Sequence, residues 1–450
     1  MRILNIVTVS ASAGFLRSGL SFMKRRNWQV AICSSPGERL RNVAQESGAD
    51  FFEVPMEREI SPLRDLRALW RLYWLIRKYR PIIVNAGTPK AGLLGMMAAM
   101  IAGVPVRVFQ QRGLRLETAK GIRRRILLIT EWLTCRCANR VICNSESLKQ
   151  CLFELNLVSH EKAKVLGSGS SGGVDTVRFS LNYDTLLDSF ALQRKFKLPV
   201  YAPVIGFVGR LVKDKGIGEL VESFKRILVE FPEARLLVVG RFEQGDSIGA
   251  ECTEWLRGHP NVIIAGQTDS VESYYPLMDV LAFPSHREGF PNVVLEAAAM
   301  RVPSVGFRAT GVVDAIVDGQ TGTIVPFGNI DALSEAILCY LRDRTLRLRH
   351  GHAARMRVAR DFQPQAIIEA LYREYIDLLR NRKLTPPELD DPEKYDSTLH
   401  KEDTNGDIDN KWFVVKRILL DGESLETLCS EWKVSPEEIR GMISIFEGAS

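Results

Sequence analysis

Short apolar runs alternate with longer helical segments along this 450-residue chain, and this alternation most constrains its fold. The first series lies near residues 3 to 9, 29 to 34, 81 to 85, 105 to 110 and 140 to 144. The second lies near 204 to 208, 235 to 240, 261 to 265, 280 to 283, 303 to 307 and 323 to 325. Buried strands separated by helices form parallel sheets, so the sequence predicts two α/β domains.

Charge is unevenly distributed along the chain. Residues 1 to 180 hold 28 Lys+Arg against 13 Asp+Glu, residues 181 to 385 hold 25 against 25, and residues 386 to 450 hold 7 against 16. The basic charge of the first 180 residues indicates an anionic partner or surface. Ordinary solvated helix surface is the alternative explanation.

Residues 285 to 300 place one carboxylate in a turn and another in a helix. Glu288 lies in a turn with Gly289 and Pro291, whereas Glu296 lies in the helix that starts near Pro291. Free backbone N–H groups at a helix start attract phosphate, and carboxylates accept hydrogen bonds from hydroxyls. A sugar nucleotide offers both groups. An acidic bias that favours the helix dipole would explain the same residues.

Cations follow the first strand of the second series. That strand ends at Gly209 and Arg210, and Lys215 lies in the loop beyond it. Ligands of doubly wound sheets bind beyond the carboxyl ends of the strands. Arg210 and Lys215 could therefore offset a diphosphate, although cations in loops are often only solvated surface.

In order and spacing, these two segments resemble the retaining GT-B glycosyltransferases of glycosyltransferase family 4. Similar stretches occur at 238 to 240, 266 to 268, 274 to 280, 310 to 314 and 318 to 322. The resemblance covers most of residues 1 to 380. In the first domain, residues 85 to 95, 112 to 115 and 167 to 175 look most like bacterial enzymes that extend polyprenyl-diphosphate-linked glycans.

The resemblance implies an α/β GT-B fold, in which two Rossmann-like parallel-sheet domains face a cleft and a small helical C-terminal extension follows. We expect an acceptor domain at residues 1 to 180 and a nucleotide-sugar donor domain at 181 to 365. A crossover helix at 366 to 385 would return to the first domain. An acidic linker at 386 to 410 and a small helical module at 411 to 450 complete the prediction.

The resemblance also implies retaining, metal-independent transfer from a UDP-linked sugar to a glycan or polyprenyl-diphosphate-linked acceptor in bacterial surface-polysaccharide assembly. Arg210 and Lys215 would stabilise the leaving diphosphate, and Glu288 would position the donor sugar. The expected donor-binding residues are Gly209, Gln267, Gly289, Phe290, Asn292 and Glu296. No cofactor is expected.

Gly14 and Arg112 are the expected acceptor-side residues. Gly14 belongs to a small-residue loop after the first strand, where the chain can approach a ligand closely. Many relatives carry a histidine near the end of the strand at 105 to 110, where this chain has Gln110, Gln111 and Arg112. Arg112 is interpreted as a contact to an acceptor or donor phosphate, with a purely structural arginine as the alternative.

Residues 120 to 133 combine an arginine cluster with bulky apolar side chains. Such a helix could lie on an anionic membrane surface, or it could be a core helix with a solvated cationic end. Trp70, Tyr73 and Trp74, which lie beside basic residues, form a second candidate surface. The expected location is therefore cytoplasmic, peripheral on the inner face of the cell membrane.

Several other classes of protein lack support in the sequence. Cys135, Cys137, Cys143 and Cys151 have no paired C-x-x-C spacing, so no metal site is predicted. No Gly-x-Gly-x-x-Gly follows the first strand, which disfavours a nicotinamide cofactor. The apolar run from 91 to 106 is short for a membrane span.

Three alternatives remain open on the sequence. A glycoside hydrolase could use Glu288 and Glu296 as its carboxylate pair. A metal-dependent GT-A transferase could use the acidic triplet at 407 to 409, although this triplet lies outside the sheet pattern and fits an acidic linker, and residues 403 to 407 weakly resemble a calcium loop. A regulatory protein could act through residues 411 to 450, whose acidic balance favours a protein partner over nucleic acid.

Overall fold

The computed structural model describes residues 1–199, 201–243 and 247–386, and also 424–426, 429, 435–437 and 440. These residues form two parallel sheets, each covered by helices on both faces. The predicted α/β architecture with two Rossmann-like domains is confirmed.

The first sheet contains seven parallel strands. They are β1 (Arg2–Ile6), β2 (Gln29–Ser34), β3 (Asp50–Glu53), β4 (Ile83–Ala86), β5 (Val106–Gln111), β6 (Arg140–Cys143) and β7 (Ala163–Val165). Their order is β3-β2-β1-β4-β5-β6-β7. Ile3 of β1 lies opposite Val30 on one side and Ile83 on the other. The central strands are apolar because helices cover both faces.

The helices of the first domain cover its two faces unequally. They are α1 (Arg17–Arg25), α2 (Glu38–Ser47), α3 (Pro62–Tyr79), α4 (Pro89–Ile101), α5 (Gly121–Cys137) and α6 (Glu146–Glu154). Helices α3, α4 and α5 lie side by side, with α4 in the middle, whereas α1 packs on α2. Right-handed crossovers explain this division, because the chain reverses direction across the sheet after β3.

The second sheet contains six parallel strands. They are β8 (Val204–Val208), β9 (Arg235–Val239), β10 (Val262–Gly266), β11 (Val280–Phe283), β12 (Ser304–Phe307) and β13 (Gly322–Val325), in the order β10-β9-β8-β11-β12-β13. Alternate residues of β9 enter the two apolar cores of the domain: Leu237 and Val239 join one, and Leu236 and Val238 join the other. This alternation is what a sheet with two covered faces requires.

The remaining helices accompany the second domain and the return of the chain to the first. They are α7 (Tyr183–Lys195), α8 (Ile217–Glu230), α9 (Ala250–Gly258), α10 (Asn292–Ala299), α11 (Val312–Ala315), α12 (Ile330–Arg342), α13 (Arg344–Asp361) and α14 (Pro364–Arg380). Each sheet has a topological switch point, where the order of the strands reverses direction. It lies between β1 and β4 in the first sheet and between β8 and β11 in the second. Ligand sites of such sheets lie there, beyond the carboxyl ends of the strands.

The last described helix packs on the first domain, although it follows the second. Tyr372 of α14 makes edge-to-face ring contacts with Phe22 and Trp28, at centroid distances of 5.8 and 6.2 Å. The buried carboxylate of Glu374 pairs with Arg140 at 2.6 Å and with Lys164 at 2.5 Å. Helix α14 thus completes a face of the first domain.

Two features of the first domain differ from the sequence-based expectation. Residues 10 to 16, which include Gly14, form a 3-10 segment that leads directly into α1 rather than a flexible loop. Strands β3 and β7 were not predicted. Both lie at the edges of the sheet, and runs of four and three residues are too short to give a periodic apolar signal.

The predicted linker at 386 to 410, with its calcium-like loop and its acidic triplet, falls almost wholly outside the described residues. So does most of the predicted module at 411 to 450. Of its described positions, Cys429 is only 4% exposed and belongs to an apolar core cluster of the second domain. Within the part of the chain that the structure describes, no helix is both long enough and apolar enough to span a membrane.

Candidate active site

At the carboxyl ends of β8, β9 and β10 the sheet presents main chain rather than side chains. The Gly209 N–H donates to the Val239 carbonyl at 2.9 Å, and the Gly240 N–H donates to the Gly266 carbonyl at 2.8 Å. A β-carbon on Gly240 would lie 1.8 Å from the Gly209 oxygen. Side chains are therefore excluded at this point, and the backbone can approach a ligand closely.

Lys215 and Glu288 form an ion pair at the same end of this sheet. The ammonium group of Lys215 donates a hydrogen bond to Oε1 of Glu288, and the Ser285 hydroxyl donates to the same oxygen at 2.8 Å. The Lys215 and Glu288 side chains are 14% and 15% exposed, so the pair is largely shielded but still reachable. The two residues come from loops after β8 and β11, the neighbouring strands at the switch point.

A second layer of contacts holds these two loops together. Arg287 pairs with Asp214 at 2.6 Å, and the His286 N–H donates to the Asp214 carbonyl at 2.9 Å. The His286 ring lies 2.7 Å from a carboxylate oxygen of Glu219 on α8. These contacts fix the separation of Lys215 and Glu288 before any ligand binds.

Arg210 lies at the same sheet edge but belongs to a different ion pair. Its guanidinium contacts Glu243 at 2.8 Å, and its side chain is about half exposed, 51%. Arg241 also contacts Glu243, at 3.5 Å. Arg210 thus follows the same strand as Lys215, but among the described residues its recorded ion pair is with Glu243 and not with Glu288.

Glu296 lies on α10 and is partly buried. The Tyr275 hydroxyl donates a hydrogen bond to it at 2.8 Å. Burial raises the pKa of Glu296, and the hydrogen bond from Tyr275 and the charge of Arg178 oppose that rise. Asn292 is the first residue of the same helix, so its main-chain N–H belongs to the free amide groups of the helix start.

The loop from Gly289 to Asn292 packs directly against the first domain. A β-carbon on Gly289 would lie 2.1 Å from the Arg112 carbonyl oxygen, so the two main chains touch. Phe290 packs over Gly169, and its ring lies 5.3 Å from that of Phe362. The predicted donor loop therefore forms part of the domain interface.

Arg112 lies just after β5, beside the segments that follow β1 and β4. Its guanidinium donates to Gln110 at 2.7 Å and lies 5.2 Å from the ring centre of Phe15. Its Nε is buried without a hydrogen-bond partner. Burial lowers the pKa of Arg112 to about 10. Gly14, beside Phe15, lies close to the guanidinium of Arg39.

Further contacts join the domains around the cleft. The Asp314 carboxylate accepts hydrogen bonds from the Glu146 and Ser147 N–H groups, at 2.9 and 3.2 Å, and thereby covers the N-terminus of α6 from the opposite domain. Thr310 donates to Glu117, whose pKa is raised by burial. These interface residues come from the stretch at 310 to 314 and from loops that local sequence patterns did not single out.

Gln267 is placed apart from the paired residues. It follows β10 at the sheet edge, and its side chain is exposed. Over residues 1–199, 201–243 and 247–386, no cluster of three His, Cys, Asp or Glu side chains is arranged to hold a metal ion. The roles assigned to all these residues stay predictions.

Known proteins align with both domains. A family model described as "Glycosyl transferase 4-like domain" matches residues 20–169, and one described as "Glycosyl transferases group 1" matches residues 202–343. The capsular polysaccharide biosynthesis glycosyltransferase CapM of Staphylococcus aureus is 40% identical over 380 residues, which cover 84% of this chain and 98% of CapM. The chain belongs to the GT-B glycosyltransferases of glycosyltransferase family 4.

This glycosyltransferase is also similar to a UDP-Gal:alpha-D-GlcNAc-diphosphoundecaprenol alpha-1,3-galactosyltransferase of Escherichia coli. The two are 25% identical over 359 residues, 78% of this chain and 89% of that enzyme. Among solved structures, HepE of Anabaena in complex with UDP shares the fold, with a TM-score of 0.69 and 18% identity. The aligned region covers 84% of this chain and 100% of HepE.

Family membership decides between the predicted enzyme classes. The expected glycosyltransferase is confirmed, and the glycoside hydrolase has no support from these relatives. Sequence reasoning missed Glu243, Tyr275 and Asp214 as partners of the predicted site residues. Tyr275 lies in a stretch that resembles the family, but its contact with Glu296 spans 21 residues and no local pattern indicates it.

Proposed function

We propose that this glycosyltransferase transfers a sugar from a UDP-linked donor, with retention of anomeric configuration, to a polyprenyl-diphosphate-linked glycan in bacterial surface-polysaccharide assembly. The names of two relatives support the proposal: CapM acts in capsular polysaccharide biosynthesis, and the Escherichia coli enzyme uses UDP-galactose and a diphosphoundecaprenol-linked acceptor. The HepE structure contains UDP.

The pairing of Lys215 with Glu288 at the switch point carries the proposal. A cation and a carboxylate held side by side match the two parts of a nucleotide sugar, with Lys215 facing the diphosphate and Glu288 the sugar hydroxyls. Arg210, half exposed at the same edge, would release Glu243 and approach the diphosphate. Each of these charged groups has an ion-pair partner whose place the donor would take.

Charge develops on the leaving diphosphate as the bond to the sugar breaks. Lys215, Arg210 and the amide groups at the start of α10 would stabilise that charge, and removing one such donor typically costs about 3 to 4 kcal/mol of barrier stabilisation. No metal is needed in this scheme. The acceptor hydroxyl would pass its proton to the leaving phosphate, so we assign no protein general base.

Glu296 would hold the ribose of the donor. Its ionised form accepts hydrogen bonds from ribose hydroxyls, and Tyr275 favours that form. Arg112 would contact a phosphate on the acceptor side, because its guanidinium is buried with an unpaired Nε. An acceptor anchored by a polyprenyl chain requires the enzyme to work at the cytoplasmic face of the cell membrane.

Two measurements test the proposal. UDP, GDP and their sugars are screened with EDTA present for thermal stabilisation, because a bound ligand raises stability by RT ln(1 + [L]/Kd). The stabilising nucleotide sugar is then incubated with a polyprenyl-diphosphate-linked glycan, and the anomeric configuration of the product is read by NMR. Stabilisation by UDP sugars and a retained configuration are expected. Glycan hydrolysis without a nucleotide sugar, or inversion, would refute the mechanism.

A further inference from the structure

Two helices of the first domain carry stripes of large apolar side chains that face solvent. On α3 the exposed residues are Leu63, Leu66, Trp70 and Trp74, and on α5 they are Ile122, Ile126, Ile129 and Trp132. Trp70 is 64% exposed and Ile122 is 76% exposed. Burial of such side chains is favourable, so two exposed stripes on the helices that flank α4 indicate a surface with a binding partner.

The spacing within each stripe shows that it is a single helix face. The α3 residues recur at intervals of three and four, and the buried residues Ala68, Leu72 and Ile76 lie on the opposite side against the sheet. Helix α3 therefore has a complete core face and a second apolar face that the domain does not use. Helix α5 repeats the pattern, with Thr134 and Cys135 buried and Ile129 and Trp132 exposed.

The two stripes belong to one side of the domain, and that side borders the cleft. Helices α3, α4 and α5 pack side by side on the same face of the sheet. Glu59, just before α3, contacts Arg115 at 3.2 Å and Arg123 of α5 at 3.8 Å. The N-termini of both helices thus meet near the carboxyl ends of the strands, where Arg112 lies.

Cations without acidic partners surround the stripes. They are Arg67, Arg71, Arg77, Lys78, Arg124 and Arg125, all exposed, and no ion pair is recorded for them within the described residues. Acidic groups on the two helices are already engaged: Asp65 pairs with Lys90 at 2.6 Å, and Glu131 is buried against Gln111. The surface is consequently both apolar and positively charged.

We propose that the exposed faces of α3 and α5 form a docking surface for the anionic head-group layer of a phospholipid bilayer. Tryptophan and isoleucine would enter the boundary between head groups and acyl chains, and the arginines would pair with anionic phosphates. The proposal rests on the proposed function, because a polyprenyl-linked acceptor must reach the cleft from a membrane. It adds the surface that presents the cleft mouth to that membrane.

The positive charge of this surface favours an anionic bilayer over a second copy of the chain as its partner. Two copies joined through this surface would bring the same unpaired cations together without acidic partners, which is unfavourable. An anionic bilayer supplies the opposite charge and an apolar layer at once. Each Lys or Arg close to an anionic membrane contributes about a fivefold increase in binding.

Vesicle cosedimentation of the full chain tests the surface without any acceptor or donor. The probes are vesicles of phosphatidylcholine alone and vesicles with 30% phosphatidylglycerol, at low and high salt. We expect at least tenfold stronger binding to the anionic vesicles at low salt. Trp70→Ser/Trp74→Ser and Ile122→Ser/Ile129→Ser should each lower that binding about tenfold, and Arg124→Gln/Arg125→Gln should weaken its salt dependence.

Matched control variants make substitutions of the same kind, apolar to serine and cation to glutamine, on the surface of the second domain. Val229→Ser removes an 85% exposed apolar residue of α8, and Lys225→Gln/Arg226→Gln removes two adjacent exposed cations there. These controls should bind vesicles like the unmodified chain. Circular dichroism and thermal unfolding confirm that every variant folds.

The proposal is overturned if the unmodified chain stays in the supernatant with both vesicle types, or if the α3 and α5 variants bind as it does. It is also overturned if those variants convert a dimer into a monomer without changing vesicle binding, since the surface would then join two copies. A chain that binds anionic vesicles through this surface but transfers no sugar would instead contradict the proposed function.

Discussion

Glu288 is surrounded by groups that make an amide a poor replacement for its carboxylate. Lys215 and Ser285 both donate to one of its oxygens. Replacing the carboxylate by an amide keeps a hydrogen-bond acceptor but removes the charge that pairs with Lys215. Glu288→Gln should therefore fold and lose transfer by at least 100-fold, which initial rates at saturating donor would measure.

The control for this variant is Glu222→Gln, which removes an exposed carboxylate paired with Lys225 on α8. Its turnover should stay within about twofold of the unmodified enzyme, because exposed ion pairs contribute little. Near-normal turnover by folded Glu288→Gln would show that Glu288 does not position the sugar.

Tyr275 tunes the ionisation of Glu296. Its hydrogen bond opposes the rise in the Glu296 pKa that burial causes, so Tyr275→Phe should raise that pKa further. Because the ionised carboxylate of Glu296 accepts more strongly from ribose hydroxyls than the protonated acid does, Tyr275→Phe should weaken UDP binding, and the difference from the unmodified enzyme should narrow as pH rises. Calorimetric titration of UDP between about pH 6 and 9 measures this, with Tyr274→Phe as control. Superimposable pH profiles for the two variants would refute the role of Tyr275.

Local sequence patterns predict the principal residues of the site but not their partners. Gly209, Lys215 and Glu288 stand in short stretches where turn, strand and charge coincide. Glu243 lies 33 residues from Arg210, and Asp314 lies 167 residues from Ser147. Contacts of this kind follow from the positions of whole elements, which one sequence does not specify.

Helix α5 contains a buried acid, Glu131, whose effect on the free energy of unfolding depends on pH. Burial raises the pKa of Glu131 to about 7, and only Gln111 donates to its carboxylate among the described contacts. In the unfolded chain the pKa is near its ordinary value of 4.5. The contribution of protonated Glu131 to the free energy of unfolding is thus fully present below about pH 4.5. It is lost as pH rises through 7, and the total loss is on the order of 3 kcal/mol.

Glu131→Gln should remove this part of the pH dependence. An amide can still accept from Gln111 and never ionises, so the variant should be more stable at pH 8 by about 1 to 3 kcal/mol. Urea unfolding at pH 5 and pH 8 measures the change. Glu154→Gln, exposed on α6, is the control, and an equal pH slope in all three proteins would contradict the assignment.

Helix α6 depends on the opposite domain for part of its N-terminal capping. Removing the Asp314 carboxylate leaves the Glu146 and Ser147 N–H groups uncapped, which costs about 1 kcal/mol. Because this contact exists only when the domains are together, Asp314→Ala should raise the donor KM about fivefold with a small change in stability.

The comparison variant is Asp314→Asn, whose amide oxygen can still accept from both N–H groups. It should retain a KM closer to that of the unmodified enzyme. If the two variants behave alike, the charge of Asp314, rather than its capping geometry, holds the domains together.

At the level of elements, every strand of the second sheet was predictable, including its edge strands β10 and β13, whereas the short edge strands β3 and β7 of the first sheet were not. The predicted ranges at 29 to 34, 204 to 208 and 280 to 283 coincide with β2, β8 and β11, because strands covered on both faces are continuously apolar. Strand β7 has only three residues, Ala163 to Val165. Such a strand is specified by its neighbour β6 and not by its own composition.

At the scale of the whole molecule, the two domains touch through main chain at Gly289. Because a β-carbon there would lie 2.1 Å from the Arg112 carbonyl oxygen, Gly289→Ala should hold the domains apart. Small-angle scattering with UDP should then show a larger radius of gyration than for the unmodified enzyme. Transfer should fall by at least tenfold, while UDP binding changes less, because Lys215 and Glu296 belong to one domain.

Gly258→Ala is the matched control, since a β-carbon at Gly258 on α9 meets no atom within 4 Å. Identical scattering curves for Gly289→Ala and Gly258→Ala in the presence of UDP would show that the contact does not limit the approach of the domains. The two-domain architecture itself was predictable from periodicity and resemblance. The interface was not, because glycine leaves no pattern that distinguishes a turn from a contact between domains.

The position of α14 has a consequence for biosynthesis. Tyr372 and Tyr375 complete an apolar core of the first domain that also contains Phe22 and Trp28, yet they are among the last described residues to leave the ribosome. Domains emerge and fold in order from the N-terminus, so the nascent protein carries this uncovered core while the entire second domain is translated. The domain that is synthesised first is therefore completed last, and its apolar core stays exposed to other nascent or folded chains until α14 has been made.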